Sequence, residues 1–146
     1  MTAPTHVRQM ARECIAVRVR LLNRLITKVC DDGLRPFGVR VAQVNILVAV
    51  AHDGPITPNE VAKRLVLDKS TLSRDADKLI ASGWLATDPS DDGRSHTLRI
   101  TPAGLELLDR IHPVWVAGQK KLAAILGAGT VGAIGGTVND LWAKMG

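Results

Sequence analysis

The first thirty positions carry apolar side chains at helical spacing, and this pattern predicts one long helix from about Thr5 to Val29. Two adjacent apolar seams run along it: Val7, Met10, Cys14, Val17 and Leu21 in one, and Ile15, Val19, Leu22, Ile26 and Val29 in the other. So wide a face belongs either to a helix buried deep in its own domain or to one shared with a second subunit. Sharing is favoured, because so short a chain has little else to cover the face. The Asp31-Asp32-Gly33 run is expected to end this helix.

Three helices are predicted in the middle of the chain, two of them with clear capping residues. Residues 41–51 form a strongly apolar helix. Thr57-Pro58-Asn59-Glu60 is a capping box with proline at the first helical position, and its helix runs through Leu65. After a tight turn, Asp68 caps a helix from Lys69 to about Ser82, which Gly83 ends.

The hydrophobic period changes after Gly83 and predicts a two-stranded hairpin. Residues 84–87 are strand-like, residues 88–95 form a polar turn, and residues 96–100 alternate polar with apolar positions. Thr101-Pro102 then begins a long helix through Leu122, which Pro113 is expected to kink. A last helix over about residues 130–145 contains several glycines, so it is expected to need tertiary packing.

Composition narrows the class of protein. The chain has 146 residues, which suits one domain, and 46% of them are hydrophobic, which is enough for a real core. The net charge of +5 suggests a polyanionic partner such as nucleic acid. Aromatic residues make up only 3%, which argues against the stacking platforms that hold RNA or single-stranded DNA.

Other functional classes lack their signatures. No apolar run is long enough to span a bilayer and no signal region is visible, so a cytoplasmic location without membrane association is expected. Cys14, Cys30 and the four histidines have no metal-ligand spacing. No nucleophile motif, phosphate loop or dinucleotide fingerprint occurs. We therefore expect no metal, no cofactor and no enzymatic activity.

The order helix, tight turn, helix, hairpin predicts a helix-turn-helix with a wing. On the second helix Leu72, Ala76, Leu79 and Ile80 are expected to face inward, which leaves Ser70, Thr71, Ser73, Arg74 and Lys78 outward. Short hydroxyls let a helix lie close in a major groove, and an arginine reaches base edges or phosphate. At the hairpin tip, Asp92 is expected to hold the Arg94 guanidinium in a pose suited to a narrow minor groove. Each piece alone is more often a solvated surface, but their order and spacing favour DNA binding.

Several of these stretches resemble the MarR family of winged-helix regulators. The resembling segments are residues 41–47, 57–62, 67–74, 79–85 and 91–104, and the wing pattern from Asp92-Gly93-Arg94-Ser95 to Ile100-Thr101-Pro102-Ala103-Gly104 is the most specific of them. The similarity covers roughly residues 38–104.

The resemblance implies a mainly α-helical fold with a small β-hairpin wing. It divides the chain into an N-terminal dimerisation helix (residues 1–37), a winged helix-turn-helix lobe (residues 38–101) and C-terminal dimerisation helices (residues 102–146). Family members are homodimers that bind pseudo-palindromic double-stranded DNA, and many are released from it by a small aromatic ligand. By the motif match, Ser70, Thr71, Ser73 and Arg74 are expected in the major groove and Arg94 in the minor groove. We expect the protein to be a repressor that a small ligand releases from DNA.

Four further residues are candidates for sensing a ligand or an oxidant. Asn45, Trp115 and Gln119 are candidate ligand contacts, although Trp115 in ordinary dimer core is the simpler interpretation. Cys14 is a candidate redox sensor, against the simpler interpretation of a small buried hydrophobe. Two alternatives stay open: a winged-helix interaction module that does not read DNA, and a regulator that senses oxidants through a cysteine.

The charge is unevenly distributed along the chain. Residues 55–101 hold seven basic and seven acidic residues, whereas residues 1–54 hold eight basic and four acidic ones. The prediction of DNA binding therefore depends on the arrangement of a few side chains in a neutral lobe.

Overall fold

The computed structural model describes residues 1–145, which form seven α-helices and one β-hairpin. The helices are α1 (Thr5–Glu13), α2 (Ile15–Leu34), α3 (Val41–Asp53), α4 (Pro58–Leu65), α5 (Lys69–Ala81), α6 (Pro102–Leu126) and α7 (Ala128–Met145). A short 3-10 helix (Arg35–Phe37) joins α2 to α3. The hairpin pairs β1 (Leu85–Pro89) with β2 (His96–Ile100) in antiparallel register, so that Thr87 faces Leu98. This confirms the mainly α-helical fold with a hairpin wing.

The prediction of the first helix was wrong about its continuity and about its C-terminal end. It is broken at Cys14, whose extended backbone (ψ 108°) separates α1 from α2. It also does not end at the Asp31-Asp32-Gly33 run but continues to Leu34. The run stays helical because its side chains are used elsewhere: Asp31 accepts a hydrogen bond from the Val41 amide (2.8 Å), and Asp32 pairs with Lys28 (2.8 Å).

Gly33 marks a helix crossing rather than a helix end. A Cβ atom at this position would lie 3.2 Å from Cγ1 of Val114 on α6. The missing side chain therefore lets α2 and α6 approach closely, which is a common reason for a glycine inside a helix. Sequence spacing alone does not reveal the partner, because Val114 lies eighty-one positions further along the chain.

The core lies inside the winged lobe, and α3 runs through its centre. The most deeply buried side chains are Ile46, Leu47, Val50, Val61, Leu72, Leu79, Leu85 and Leu98. On α5, Leu72, Ala76 and Leu79 are buried and Ile80 is half-buried, as the helical spacing predicted. Ile56 adds to the sheet edge through two backbone hydrogen bonds with Leu98 (3.1 and 2.8 Å). This network attaches the wing to the helices.

The C-terminal helices are longer than the sequence pattern indicated. Helix α6 is continuous through Pro113 and reaches Leu126, and the kink expected at that proline stays a prediction. Helix α7 is regular despite its glycines. Among residues 1–145 no single helix combines the length and apolarity needed to cross a bilayer, and two strongly bent helix pairs meet those criteria by length and composition only. The proposed division at residues 37 and 101 also stays a prediction.

Thr101 and Gly104 fix the start of α6 on the base of the hairpin. The Thr101 hydroxyl donates to the Gly83 carbonyl (2.6 Å) and accepts from the Gly104 amide (3.0 Å), so it caps α6 and ties it to the end of α5. A Cβ atom at Gly104 would lie 2.3 Å from the Trp84 carbonyl oxygen and 2.6 Å from Cδ1 of Ile100. Because one of these neighbours is backbone, a side chain cannot be accommodated by a simple rotamer change.

Gly104→Ala is therefore expected to destabilise the protein by about 1–3 kcal/mol, as overpacking of a tight contact does. The matched control is Gly118→Ala in the same helix, where a Cβ atom meets nothing within 4 Å. The control is expected to be neutral or to stabilise by up to about 1 kcal/mol, since alanine favours the helix. Urea unfolding followed by circular dichroism measures both, and equal effects of the two substitutions would contradict the close contact.

Candidate nucleic-acid interface

Helix α4 packs against α5, which is the reader helix of the predicted helix-turn-helix, and it begins with the predicted capping box. The Glu60 amide donates to the Thr57 hydroxyl oxygen (3.3 Å), and the Thr57 amide donates to the Glu60 carboxylate (2.9 Å). The Thr57 hydroxyl also donates to that carboxylate (2.7 Å), and this bond holds the pKa of Glu60 below its usual range. The start of the helix-turn-helix is thus fixed by reciprocal hydrogen bonds.

The turn between α4 and α5 is set by Val66 in a left-handed conformation (φ 52°, ψ 47°). The Leu67 amide donates to the Ala62 carbonyl (2.8 Å), and the Val66 amide donates to the Lys63 carbonyl (3.3 Å). These bonds satisfy the last carbonyl groups of α4. A β-branched residue with positive φ is strained, so the surrounding packing must determine this turn.

Asp68 organises the first turn of α5. One carboxylate oxygen, Oδ1, accepts from the Thr71 amide (2.8 Å) and the Ser70 hydroxyl (2.7 Å), and Oδ2 accepts from the Thr71 hydroxyl (2.7 Å). These bonds, with the Ser70 hydroxyl first, hold the pKa of Asp68 far below its ordinary value. Asp68 therefore confirms the predicted cap, and it also fixes two of the predicted DNA contacts.

The outward face of α5 carries the residues that helical spacing predicted. Ser70, Ser73, Arg74 and Lys78 are exposed and Thr71 is half-buried. Within residues 1–145 neither Arg74 nor Lys78 takes part in an ion pair. Two cations and three hydroxyls thus lie on one side of a helix whose opposite side is in the core.

The wing tip differs from the sequence prediction in one respect. Asp92 Oδ1 accepts from the backbone amide of Arg94 (3.0 Å) and from the Ser90 hydroxyl, and the guanidinium of Arg94 is not its partner. The Ser90 hydroxyl is the main reason that the pKa of Asp92 lies below its usual range. The expectation that Asp92 holds the guanidinium is wrong, since the carboxylate reaches the nearer backbone donor instead. Arg94 is exposed at the tip, and Gly93 beside it supplies the positive φ (67°) of the turn.

Sequence reasoning missed an ion pair that spans the wing. Arg99 Nε on β2 donates to Asp88 Oδ2 on β1 (2.8 Å), and this bond lowers the pKa of Asp88. The two residues sit diagonally across the ladder, where Asp88 pairs with Thr97. Their opposite charges on one face of adjacent strands were a usable signal, because diagonal neighbours lie within reach of long side chains.

A cleft of about 350 Å³ connects the reader helix to the wing. Its walls come from the start of α4, from the side of α5 that borders the core, and from β2 with the residue before it: Thr57, Pro58, Asn59, Lys69, Leu72, Ser73, Ala76, Asp77, Ile80, Ser95, His96 and Leu98. Ser73 is the one predicted DNA contact among them. The cleft depends on the packing of three elements, so periodicity in the sequence does not reveal it.

The candidate ligand and redox residues lie elsewhere. Asn45, Trp115 and Gln119 are exposed and line neither this cleft nor a second one of about 340 Å³ along α2. Trp115 stacks against His112, with ring centroids 6.0 Å apart. Cys14 is a half-buried free thiol at the helix break. Within residues 1–145 no group of three or more His, Cys, Asp or Glu side chains is arranged to hold a metal ion.

Comparison with known proteins finds a similarity to one family. The model of the MarR family matches residues 37–95, which include α3, α4, α5 and β1 and extend to the wing tip. The MarR multiple antibiotic resistance protein of Salmonella typhimurium is 27% identical over 95 residues, which cover 64% of this chain and 66% of that protein. The chain is therefore similar to the MarR family over the winged lobe. The regulator PecS of Dickeya dadantii is 28% identical over 102 residues, or 67% of this chain and 61% of PecS.

Solved structures of MarR proteins share the fold. A mutant of MarR from E. coli complexed with operator DNA superimposes with a TM-score of 0.80 at 21% identity, covering 90% of this chain and 96% of that one. The M. tuberculosis regulator MOSR in complex with DNA gives a TM-score of 0.77 at 22% identity, covering 88% and 93%. PecS is an HTH-type transcriptional regulator, which is the class of protein that we expected for this chain.

The cap at Asp68 leads to an expectation about acid stability. Because the folded state holds the pKa of Asp68 far below its ordinary value of 3.8, the ionised carboxylate stabilises the fold above that pH. As the pH falls below 3.8, the unfolded chain takes up the proton first and this stabilisation is progressively lost. Asp68→Asn keeps a capping oxygen and removes this titration. The difference in unfolding free energy between wild type and variant is expected to shrink between pH 6 and pH 3 in urea titrations. A difference that stays constant would contradict the assignment.

Proposed function

We propose that the chain is a sequence-specific transcriptional regulator that binds double-stranded DNA as a homodimer and acts as a repressor. The observation that carries the proposal is the outward face of α5, where Ser70, Ser73 and Arg74 are exposed directly above the buried Leu72 and Leu79. A helix held this firmly from behind can enter a major groove without deforming. Two solved structures with the same fold support the proposal, since MarR from E. coli is complexed with operator DNA and MOSR with DNA.

Each side chain has a distinct proposed role. Ser70, Thr71 and Ser73 contact base edges, since their short side chains let the helix axis approach the groove floor. Arg74 reaches a guanine edge or a phosphate, and Lys78 neutralises a phosphate. Arg94 at the wing tip enters the adjoining minor groove, where a narrow groove attracts a guanidinium. In this role Asp92 positions the backbone that carries Arg94.

The neutral lobe makes the placement of these groups decisive. Residues 55–101 carry no net charge, because seven basic residues are balanced by seven acidic ones. Several of the acidic groups are engaged within the lobe: Asp68 in the cap, Asp88 with Arg99 and Asp92 in the wing turn. The cations of the DNA-facing side are therefore left available. The alternative of an interaction module without DNA readout gains no support from such a face.

The surface area of the protomer supports a homodimer. The chain exposes 10321 Å². A folded monomer of 15.6 kDa is expected to expose about 7,200 Å², so about 3,100 Å² is in excess. Permanent homodimers bury about 2,000–5,000 Å² in total, or about 1,000–2,500 Å² per protomer, so the excess on one protomer is more than enough to supply such an interface.

The exposed apolar side chains are concentrated on the flanking helices. They include Val7, Met10, Ile15, Val17, Val19, Leu21 and Leu25 on α1 and α2, and Val131, Ile134, Val138, Leu141 and Trp142 on α7. Within residues 1–145, neither α1 nor α7 contains a buried residue. A second copy of the chain supplies the matching apolar faces, so we propose that α1, α2 and α7 of two protomers interlock.

The glycines of α7 fit the same interface. Cβ atoms built at Gly129, Gly132, Gly135 and Gly136 would meet nothing within 4 Å, so no contact inside the protomer requires these glycines. Each glycine costs a helix about 1 kcal/mol relative to alanine. Close approach of a partner helix offsets that cost, since only a missing side chain lets two backbones come together.

A homodimer also accounts for the proposed operator and effector. Two lobes related by twofold symmetry read the two halves of a pseudo-palindrome. A small aromatic ligand between the dimerisation helices and the lobe changes the lobe spacing and releases the DNA. Asn45, Trp115 and Gln119 are our candidates for its contacts.

We propose a cytoplasmic protein that has no cofactor and no membrane association. Oxidation of Cys14 is kept as the alternative trigger.

Arg74→Ala tests the reading role. On a duplex selected from a random-sequence library by the wild-type protein, affinity is expected to fall about tenfold or more, as loss of a base contact does. On unrelated duplex the loss is expected to be smaller, because the phosphate contacts remain. The control is Lys121→Ala, an exposed cation on α6 outside the lobe, and gel-shift titrations at one salt concentration measure both. Equal losses on selected and unrelated DNA would contradict a base-reading Arg74.

Ile134→Glu tests the dimer. A carboxylate on the apolar face of α7 is expected to convert the dimer to monomer at micromolar concentration, because an unpaired charge is costly to bury. The control is Ala133→Glu, which puts the same charge about 100° around the helix from Ile134, on the side that carries Asp140. Sedimentation velocity distinguishes the two species. A wild-type protein that is monomeric, or equal behaviour of both variants, would contradict the proposed interface.

A further inference from the structure

We propose that Ser70 and Thr71 recognise the exocyclic amino groups of adenine or cytosine, because both hydroxyls can offer DNA only lone pairs. The inference rests on the proposed function and adds the chemical class of base that these two positions select.

The hydroxyl protons of both residues are committed to Asp68. Ser70 Oγ lies 2.7 Å from Asp68 Oδ1, and Thr71 Oγ1 lies 2.7 Å from Asp68 Oδ2. An ionised carboxylate has no proton to give, so in each pair the hydroxyl must be the donor. A hydroxyl has one proton, and both of these protons therefore point at the cap rather than outward.

The carboxylate stays ionised under any condition in which DNA binding is measured. The hydrogen bonds from Ser70 and Thr71 hold the pKa of Asp68 far below its ordinary value. Arg74, one turn further along α5, adds a smaller electrostatic contribution in the same direction. Neutral pH therefore leaves the polarity of the two hydroxyls fixed.

A hydroxyl of fixed polarity discriminates among bases. In the major groove the donors are the amino groups of adenine (N6) and cytosine (N4), whereas guanine O6 and N7, thymine O4 and all phosphates are acceptors. If a base acceptor faces the Ser70 or Thr71 oxygen, neither atom has a proton to donate and no hydrogen bond forms between them. Once water is excluded, two facing acceptors are unfavourable, so the keto bases are rejected.

Ser73 provides an internal contrast on the same face. Within residues 1–145 its hydroxyl has no hydrogen-bond partner, so it can turn to donate or to accept. We therefore expect Ser73 to tolerate either class of base. The first turn of α5 then contains two acceptors of fixed polarity, followed by one adaptable hydroxyl.

The first experiment uses the duplex that the wild-type protein selects from a random-sequence library. Each adenine in it is replaced in turn by purine, which lacks the 6-amino group, and each cytosine by 2-pyrimidinone, which lacks the 4-amino group. At one or two positions per half-site, affinity is expected to fall about fivefold to tenfold, as for one lost base contact. Replacement of adenine by 7-deazaadenine at the same positions removes an acceptor and keeps the amino group, and it is expected to have little effect.

The same analogues on Ser70→Ala and Thr71→Ala proteins separate the contact from weakened base pairing. If a hydroxyl accepts from the missing amino group, the analogue costs little further affinity once that hydroxyl has been removed. Ser73→Ala is the matched control, since it deletes a hydroxyl of unfixed polarity from the same helix face. With this variant the full effect of the analogue is expected to remain.

Asp68→Asn inverts the polarity at one position only. An asparagine keeps an oxygen for the Thr71 amide and for Ser70, and it presents an NH₂ donor where Asp68 Oδ2 meets the Thr71 hydroxyl. Thr71 must then accept from the amide, and its own proton turns outward. Library selection with this variant is expected to change the base under Thr71 from adenine or cytosine to guanine or thymine and to leave the base under Ser70 unchanged. Cooperative thermal unfolding, at a somewhat lower temperature than for the wild type, verifies that the variant is folded.

The outcomes separate this inference from the proposed function. Failure of the wild-type protein to select any sequence would contradict the proposed function and the inference with it. A clear selected sequence in which every amino group is dispensable would overturn the inference alone. An Asp68→Asn protein that folds normally and selects the wild-type sequence would overturn it as well.

Discussion

The packing of five other elements against α3 is the constraint that fixes the position of the lobe elements. Ile46, Leu47 and Val50 are inaccessible to solvent, and α2, α4, α5, β2 and α6 all pack against this one helix. The reader helix is therefore held from behind by Leu72 and Leu79 in the same core. Because close-packed interiors resist small displacements, its exposed side chains project from a rigid support.

Much of the fold was predictable because its signals are local. The caps at Thr57, Asp68 and Thr101 were all identified correctly, since a capping side chain and its amide partner lie within three residues of each other. The Asp31-Asp32-Gly33 run was misinterpreted because the groups that keep it helical are remote. Asp31 is used by Val41 and Gly33 faces Val114, so the run has the composition of a helix end without being one.

The candidate site was predictable in its residues but not in its polarity. Helical spacing put Ser70, Ser73 and Arg74 on the exposed side of α5, where the structure has them. Small differences in distance, of a few tenths of an ångström, decide which way a hydroxyl proton points. They also decide whether Asp92 binds a guanidinium or an amide. Composition and periodicity contain no information at that scale, and the same is true of the cleft between α5 and the wing.

Because α7 contains no buried residue, the stability of this helix in the proposed dimer depends on protomer concentration. In the proposed dimer, association supplies the packing that an isolated glycine-rich helix lacks, so protomer concentration and helix stability vary together. A protomer without its partner would therefore leave α7 exposed and only marginally stable, as a helix without tertiary packing is.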